Sequence, residues 1–166
     1  CYLIVRHDSP IRSYADLRGK VIAFSDPSST SGAILPRLML RQNGIDPEQD
    51  PARIIFVGKH DSAFFAILNW SADAAAVASH LFDATDAAIR NKIRILDQSI
   101  PVPLGPLVVR NTLPPDLKAR LQAAFIGLDR TDAGRQVLQQ AEVNRYEETS
   151  DADFDAVRAL MAPFLE

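Results

Sequence analysis

Residues 20–42 read KVIAFSDPSSTSGAILPRLMLRQ. Lys20 to Phe24 is a run of strand-forming residues that follows Gly19 and stops at a polar break. Ser25-Asp26-Pro27-Ser28 predicts a loop. A helix is expected from near Thr30 to about Gln42, closed by Asn43-Gly44. Strand, polar turn and helix in that order make one unit of an alternating α/β chain, and the flanking sequence decides whether the unit recurs.

It does recur. Upstream, Tyr2 to Arg6 reads as a strand broken by Asp8-Ser9-Pro10, and Ser13 with Asp16 has capping-box spacing for a short turn over Tyr14 to Leu17. Downstream, Ile54 to Val57 predicts a strand and Ser62 to Asn69 a helix capped by Asp61 or Ser62. Ala74 to Ala78 predicts a strand, with Asp73 before it as a turn residue. Leu81 to Asn91 predicts one helix and Ile93 to Leu96 a strand. This alternation argues for a small α/β lobe with a mainly parallel sheet.

The tail differs. Pro101, Pro103 and Pro106 impose an extended segment, because each fixes φ and lacks a donor. Leu107 to Arg110 then predicts a strand. Three helices follow, at about 115–128, 133–141 and 153–161. Their apolar residues (Leu117, Leu121, Phe125; Val137, Leu138; Phe154, Val157, Leu160) need something to cover. One strand is too little sheet for three helices. A further lobe, or a domain-swapped or homo-oligomeric partner, is expected to supply the rest.

Composition narrows the function classes. The 166 residues are 47% hydrophobic and 23% charged, as in ordinary globular domains. No apolar run is long enough to span a bilayer, and the opening Cys1-Tyr2-Leu3-Ile4 reads as a strand rather than a signal peptide. A net charge of −3 and a pI near 5.6 argue against a nucleic-acid surface. The single cysteine, Cys1, excludes an internal disulfide. It is read either as the start of the numbering or as a lipid-bearing first residue. His7, His60 and His80 are too scattered for a metal site, and no cofactor is expected.

The chemistry lies in Ser28-Ser29-Thr30-Ser31-Gly32. Four hydroxyl residues stand where a helix begins. The first N–H groups of a helix lack internal partners, and the macrodipole places positive potential there. An anion with several oxygens can take those donors and the hydroxyls together, with no lysine. One hydroxyl would suffice for a simple cap, so capping alone stays open as the plainer account. Pro36 removes one N–H and frees the carbonyl of Gly32. His60 sits in the second strand-to-helix loop, Gly58-Lys59-His60-Asp61-Ser62. Loops at the carboxyl ends of parallel strands share one crevice, so His60 is placed to meet the same anion, although taken alone it reads as a surface histidine.

These features come in a telling order: Asp16-Leu17-Arg18-Gly19-Lys20, Asp26-Pro27, Ser29-Thr30-Ser31-Gly32 with Pro36, Gly58 with His60-Asp61, Ala72-Asp73-Ala74, then Ser99 with the spaced prolines. In that order the chain resembles the phosphate, phosphite and phosphonate-binding proteins of ABC importers over nearly its whole length. The resemblance implies a type II periplasmic-binding-protein fold of two α/β lobes joined by crossing strands. It implies a crossing strand over residues 1–7, a complete ligand-binding lobe over 8–98, and a return crossing with helices of an otherwise missing first lobe over 99–166. It implies Ser29, Thr30, Ser31 and His60 as oxyanion contacts, with Ser28 beside them. Partners would be a small oxyanion and an ABC permease, outside the cytoplasm, in the periplasm or its equivalent. Where aminoalkylphosphonate binders place acids to receive an amine, this chain has His80 and Gly105. A ligand without an amine is therefore expected, and His80 becomes a further candidate contact.

Other readings use the same lobes. A sensor input domain would be marked by a transmembrane signalling context, and a regulator's effector domain by a DNA-binding motif. A hydrolase is disfavoured, because there is no Gly-x-Ser-x-Gly elbow and no orienting group at recognisable spacing.

Overall fold

The computed structural model describes residues 1–141 and 143–162. The chain divides into two compact units, Cys1–Pro101 and Val102–Glu166.

In the first unit five strands form one sheet in the order β3-β2-β4-β1-β5: β1 Tyr2–Arg6, β2 Val21–Phe24, β3 Arg53–Phe56, β4 Ala74–Val77 and β5 Ile93–Gln98. β2 pairs parallel with β3 and β4, whereas β1 lies antiparallel to both β4 and β5. The sheet is thus mixed, and the expectation of a mainly parallel sheet holds only for its β3-β2-β4 side. Leu3, Ile4 and Val5 of β1 are completely buried, as befits a strand flanked on both edges and covered on both faces.

Period-2 alternation divides the core into two layers. On one face Leu3, Val5, Ile22, Phe24, Ala74 and Ala76 meet α1 (Leu35–Gln42) through Met39 and Leu40, together with Ile45 and Leu17. On the other, Ile4, Ala23, Ala75 and Val77 meet α2 (His60–Leu68) through Ala63, Phe64 and Ile67, with Phe82 of α3 (Ser79–Ala84) beside them. The short turn Tyr14–Leu17 forms as its capping box requires, with Ser13 donating backbone and hydroxyl hydrogens to Asp16. The Tyr14 hydroxyl donates to Asp97 at 2.7 Å and fastens this turn to β5. Burial, and the Asp97 carboxylate it faces, raise the Tyr14 pKa. Asp73 is structural, as expected: its carboxylate accepts from Val21 N–H at 2.9 Å and its own amide donates to the Val21 carbonyl.

Three element assignments change. The helix expected over 81–91 is two helices, α3 and α4 (Ala87–Arg90). Thr85 donates its hydroxyl to the Leu81 carbonyl, and Asp86 accepts from Ala88 N–H at 2.7 Å to cap a fresh start. α2 begins at His60 after the N-cap residue Lys59, so neither Asp61 nor Ser62 caps it. Gly58, at φ 84°, turns the chain directly out of β3. The strand expected over Leu107–Arg110 does not form. Its residues find no ladder partner, and Val108 is 81% exposed.

The second unit carries α5 (Pro115–Ile126), α6 (Asp132–Gln140) and α7 (Asp155–Met161), close to the predicted spans. Leu138 is buried, and Phe125 packs edge-on against Tyr146 at 5.3 Å. Phe125 and Val137 nevertheless remain exposed.

The core assignment yields a direct expectation. Ile4→Ala should lower stability by about 2–4 kcal/mol through lost burial and a residual cavity. Ile100→Ala, at an exposed position, should stay within about 0.5 kcal/mol. Urea denaturation of the two variants checks this.

Candidate functional site

The loops that leave β2, β3 and β4 all emerge at the carboxyl edge of the parallel strands. Cys1 and Ser99 reach the same edge, because Tyr2 pairs with both Val77 and Gln98. The Cys1 backbone nitrogen donates to the Ser99 hydroxyl, and Ser99 N–H donates to the Cys1 carbonyl, both at 2.9 Å.

The helix after β2 begins as a wide five-residue turn, Thr30–Ile34, that runs straight into α1. Its hydrogen bonds span five residues: Ile34 N–H donates to the Ser29 carbonyl at 3.1 Å and Leu35 N–H to that of Thr30. In a regular α-helix the Gly32 carbonyl would receive the N–H of residue 36, but Pro36 has none. Ser25 N–H takes that carbonyl instead, at 3.0 Å. The Ser25 carbonyl accepts from Gly58 N–H at 2.7 Å. The backbone of Ser25 therefore joins the start of one helix to the loop that starts the next.

Gly32 is needed for this approach. A Cβ there would lie 1.7 Å from the Ser25 hydroxyl oxygen and 2.8 Å from its Cβ. The Ser25 hydroxyl is buried and has no hydrogen-bond partner. Sequence reading passed over Ser25, since a lone serine after a strand carries no signal of its own.

The hydroxyl run separates into distinct parts. Ser28 donates its amide and hydroxyl hydrogens to Asp26, at 2.9 and 2.5 Å, and these bonds hold the Asp26 carboxyl below its usual pKa. Ser29 is the N-cap, and its oxygen accepts from Gly32 N–H at 3.1 Å. Thr30 and Ser31 supply the first two amides of the helix. Among the described residues neither those amides nor their hydroxyls have a partner. Capping thus accounts for Ser29 and leaves Thr30 and Ser31 open.

His60 is half-buried at the first position of α2. Its Nδ1 accepts from Ala78 N–H at 3.3 Å, and the ring also hydrogen-bonds the Ala76 backbone, which works against the lowering of its pKa. Burial, and then the charge of His80, lower its pKa. His80 is exposed on α3, within electrostatic reach of His60. Lys59 stands exposed at the N-cap of α2. Ser28, Ser29, Thr30, Ser31, His60 and His80 are thus brought to one edge of the first unit, where three helices begin. Gly105 belongs to the second unit. The pocket lined by Arg18, Ile45, Asp46 and Asp50 lies at the opposite edge, where β2 and β3 start. Among the described residues no cluster of metal-ligating side chains occurs, and no helix is long and apolar enough to cross a membrane.

Two outcomes test this geometry. Gly32→Ala should destabilise by about 1–3 kcal/mol through overpacking, and adding Ser25→Gly should recover part of the loss in urea denaturation. For His60 the folded pKa is depressed. Above the unfolded value of about 6.5 both states are neutral and the residue contributes nothing. As pH falls below that, the unfolded chain binds a proton that the folded chain refuses, so stability drops until the folded pKa is passed. His60→Gln should flatten that part of the stability-against-pH curve.

Comparison with known proteins places this geometry among relatives. The family profile described as "ABC transporter, phosphonate, periplasmic substrate-binding protein" matches residues 1–154. The phosphate-import protein PhnD of Mycolicibacterium smegmatis is 35% identical over 91 residues, covering 51% of this chain and 28% of that protein. The binding-protein component of an ABC phosphonate transporter from Pseudomonas aeruginosa superposes with a TM-score of 0.81 at 24% identity, over 96% of this chain and 55% of that one. PhnD1 of Prochlorococcus marinus, solved in complex with methylphosphonate, superposes with a TM-score of 0.78 at 15% identity, over 99% of this chain and 66% of that one. These two share the mixed α/β fold of type II periplasmic binding proteins. The chain spans about half to two-thirds of the length of these solved relatives.

Proposed function

The chain belongs to the family of periplasmic substrate-binding proteins of phosphonate ABC transporters, and on that premise we propose that it forms the oxyanion-gripping part of a solute-binding protein serving an ABC permease outside the cytoplasm. The ligand is a phosphorus oxyanion: phosphonate, phosphite or phosphate. The observation that carries this reading is the open pair Thr30 and Ser31. Two amides and two hydroxyls stand unpartnered at a helix start, next to the loop from which neutral His60 arises.

Capture needs no covalent step. The helix-start amides donate to the oxygens of the anion, and the Thr30 and Ser31 hydroxyls add two donors. Ser29 keeps its own O–H available while its oxygen caps Gly32. His60, held by the backbone of Ala78 and Ala76, stands at the same edge as a further contact for the anion. Ser28, which donates its hydrogens to Asp26, contributes through loop shape.

On the resemblance, His80 and Gly105 replace the acids with which aminoalkylphosphonate binders receive an ammonium, and a desolvated ammonium without a partner is costly. The reading is therefore a ligand without an amine, with His80 as an added contact for the oxyanion. The remaining length of such a protein would supply the second wall of the cleft and cover Phe125 and Val137. Closure of two walls on a ligand is the usual source of tight binding, so this chain alone should bind weakly.

A thermal-shift panel on the complete polypeptide tests the reading, using phosphate, phosphite, methylphosphonate, aminoethylphosphonate and sulfate. One amine-free phosphorus oxyanion at a hundred times its dissociation constant should stabilise the protein by about 2.7 kcal/mol, and Thr30→Ala with Ser31→Ala should abolish that gain. No shift with any phosphorus oxyanion overturns the function. Tight aminoethylphosphonate binding overturns the exclusion of an amine.

A further inference from the structure

Arg12 and Arg94 converge on one carbonyl. Arg12 lies in the loop after β1, and its Nη1 donates to the Ser9 carbonyl and, at 3.2 Å, to that of Ile11. Arg94 sits near the start of β5, paired with Val5, and its Nη2 donates to the same Ile11 oxygen. Two guanidiniums therefore stand side by side. Among the described residues neither is in an ion pair with a carboxylate. Asp16 feels the Arg12 charge, but its carboxylate already receives the amides of Arg12 and Ser13 and the Ser13 hydroxyl. The Nε–H of Arg94 is buried and has no partner among the described residues. Burial, and then the neighbouring Arg12 charge, lower the Arg94 pKa.

This arrangement is unfavourable by itself. Like charges repel at this range, and a buried donor without an acceptor loses its hydration for nothing. A backbone carbonyl offers only a partial charge to two cations. Guanidiniums present planar forks of N–H donors matched to the paired oxygens of an oxyanion. Two such forks call for a ligand with more than one oxygen pair and about two negative charges, which is the character of a phosphate dianion.

The location separates this cluster from the Thr30–Ser31 edge. Val5, the partner of Arg94, is paired on its other side with Ala74, the first residue of β4. The arginines thus lie at the opposite edge of the sheet. We propose that Arg12 and Arg94 form a second anion site, for a free phosphate-type dianion, at the edge remote from Thr30 and Ser31. This second site is independent of what the first edge binds.

The test uses the complete polypeptide carrying Thr30→Ala and Ser31→Ala, titrated with inorganic phosphate at constant ionic strength. Thermal stability and the arginine Nε–H resonances are followed by calorimetry and NMR. Saturable stabilisation by phosphate over chloride is expected, with the Arg94 Nε–H signal moving along the same curve. Arg12→Gln, at an exposed position, should weaken phosphate about tenfold, the loss of one charge-assisted contact. Arg94→Lys, which keeps the charge and removes the fork, should weaken it too. If phosphate acts no better than chloride, the proposal fails. It fails equally if Arg12→Gln lowers stability but leaves the phosphate response unchanged, since the two arginines then only clamp the Ser9–Ile11 loop.

Discussion

The backbone of one residue, Ser25, fastens the two loops on which the site depends. Its N–H reaches the Gly32 carbonyl and its C=O receives Gly58 N–H. The first bond exists because Pro36 has no hydrogen to give that carbonyl, and because Gly32 has no Cβ to keep Ser25 away. Around this junction the helix opens into a wide turn, and wide turns of this type recur at functional sites. The consequence is local: Ser29 is committed as the cap, while Thr30 and Ser31 stay unpaired on the outside. A proline that elsewhere would break a helix here sets the form of its start.

The electrostatic character of this edge arises from the backbone. Three helices begin where the parallel strands end, and each presents unpaired amides at its positive pole. An acidic chain can hold an anion this way without a lysine-rich surface. The carboxylate of Asp26 is engaged by the amide and hydroxyl of Ser28. His60 adds a further contact, and its depressed pKa favours the neutral form over a cation.

Much of this is written locally in the sequence. The βα alternation, the capping box at Ser13 and Asp16, and the helix start at Thr30 follow from propensity and short-range hydrogen bonding, and they form as read. The freed carbonyl of Gly32 was also legible from Pro36. Its recipient was not, because the Ser25 contact depends on how the loop folds back. The direction of β1 is likewise absent from its own residues: Leu3, Ile4 and Val5 are as apolar as any parallel strand, and only pairing with β4 and β5 sets them antiparallel. Leu107 to Arg110 has strand composition, yet a strand is a relation between two segments, and no described segment pairs with it. The bond from Ala78 to His60 joins residues brought together only by the finished sheet.

The meeting of Cys1 and Ser99, through two hydrogen bonds of 2.9 Å, has a topological meaning. A body in which the entry to β1 and the exit from β5 lie side by side is closed at one point of its edge. The entropy of closing so short a gap is small, so the two strand ends hold each other at little cost.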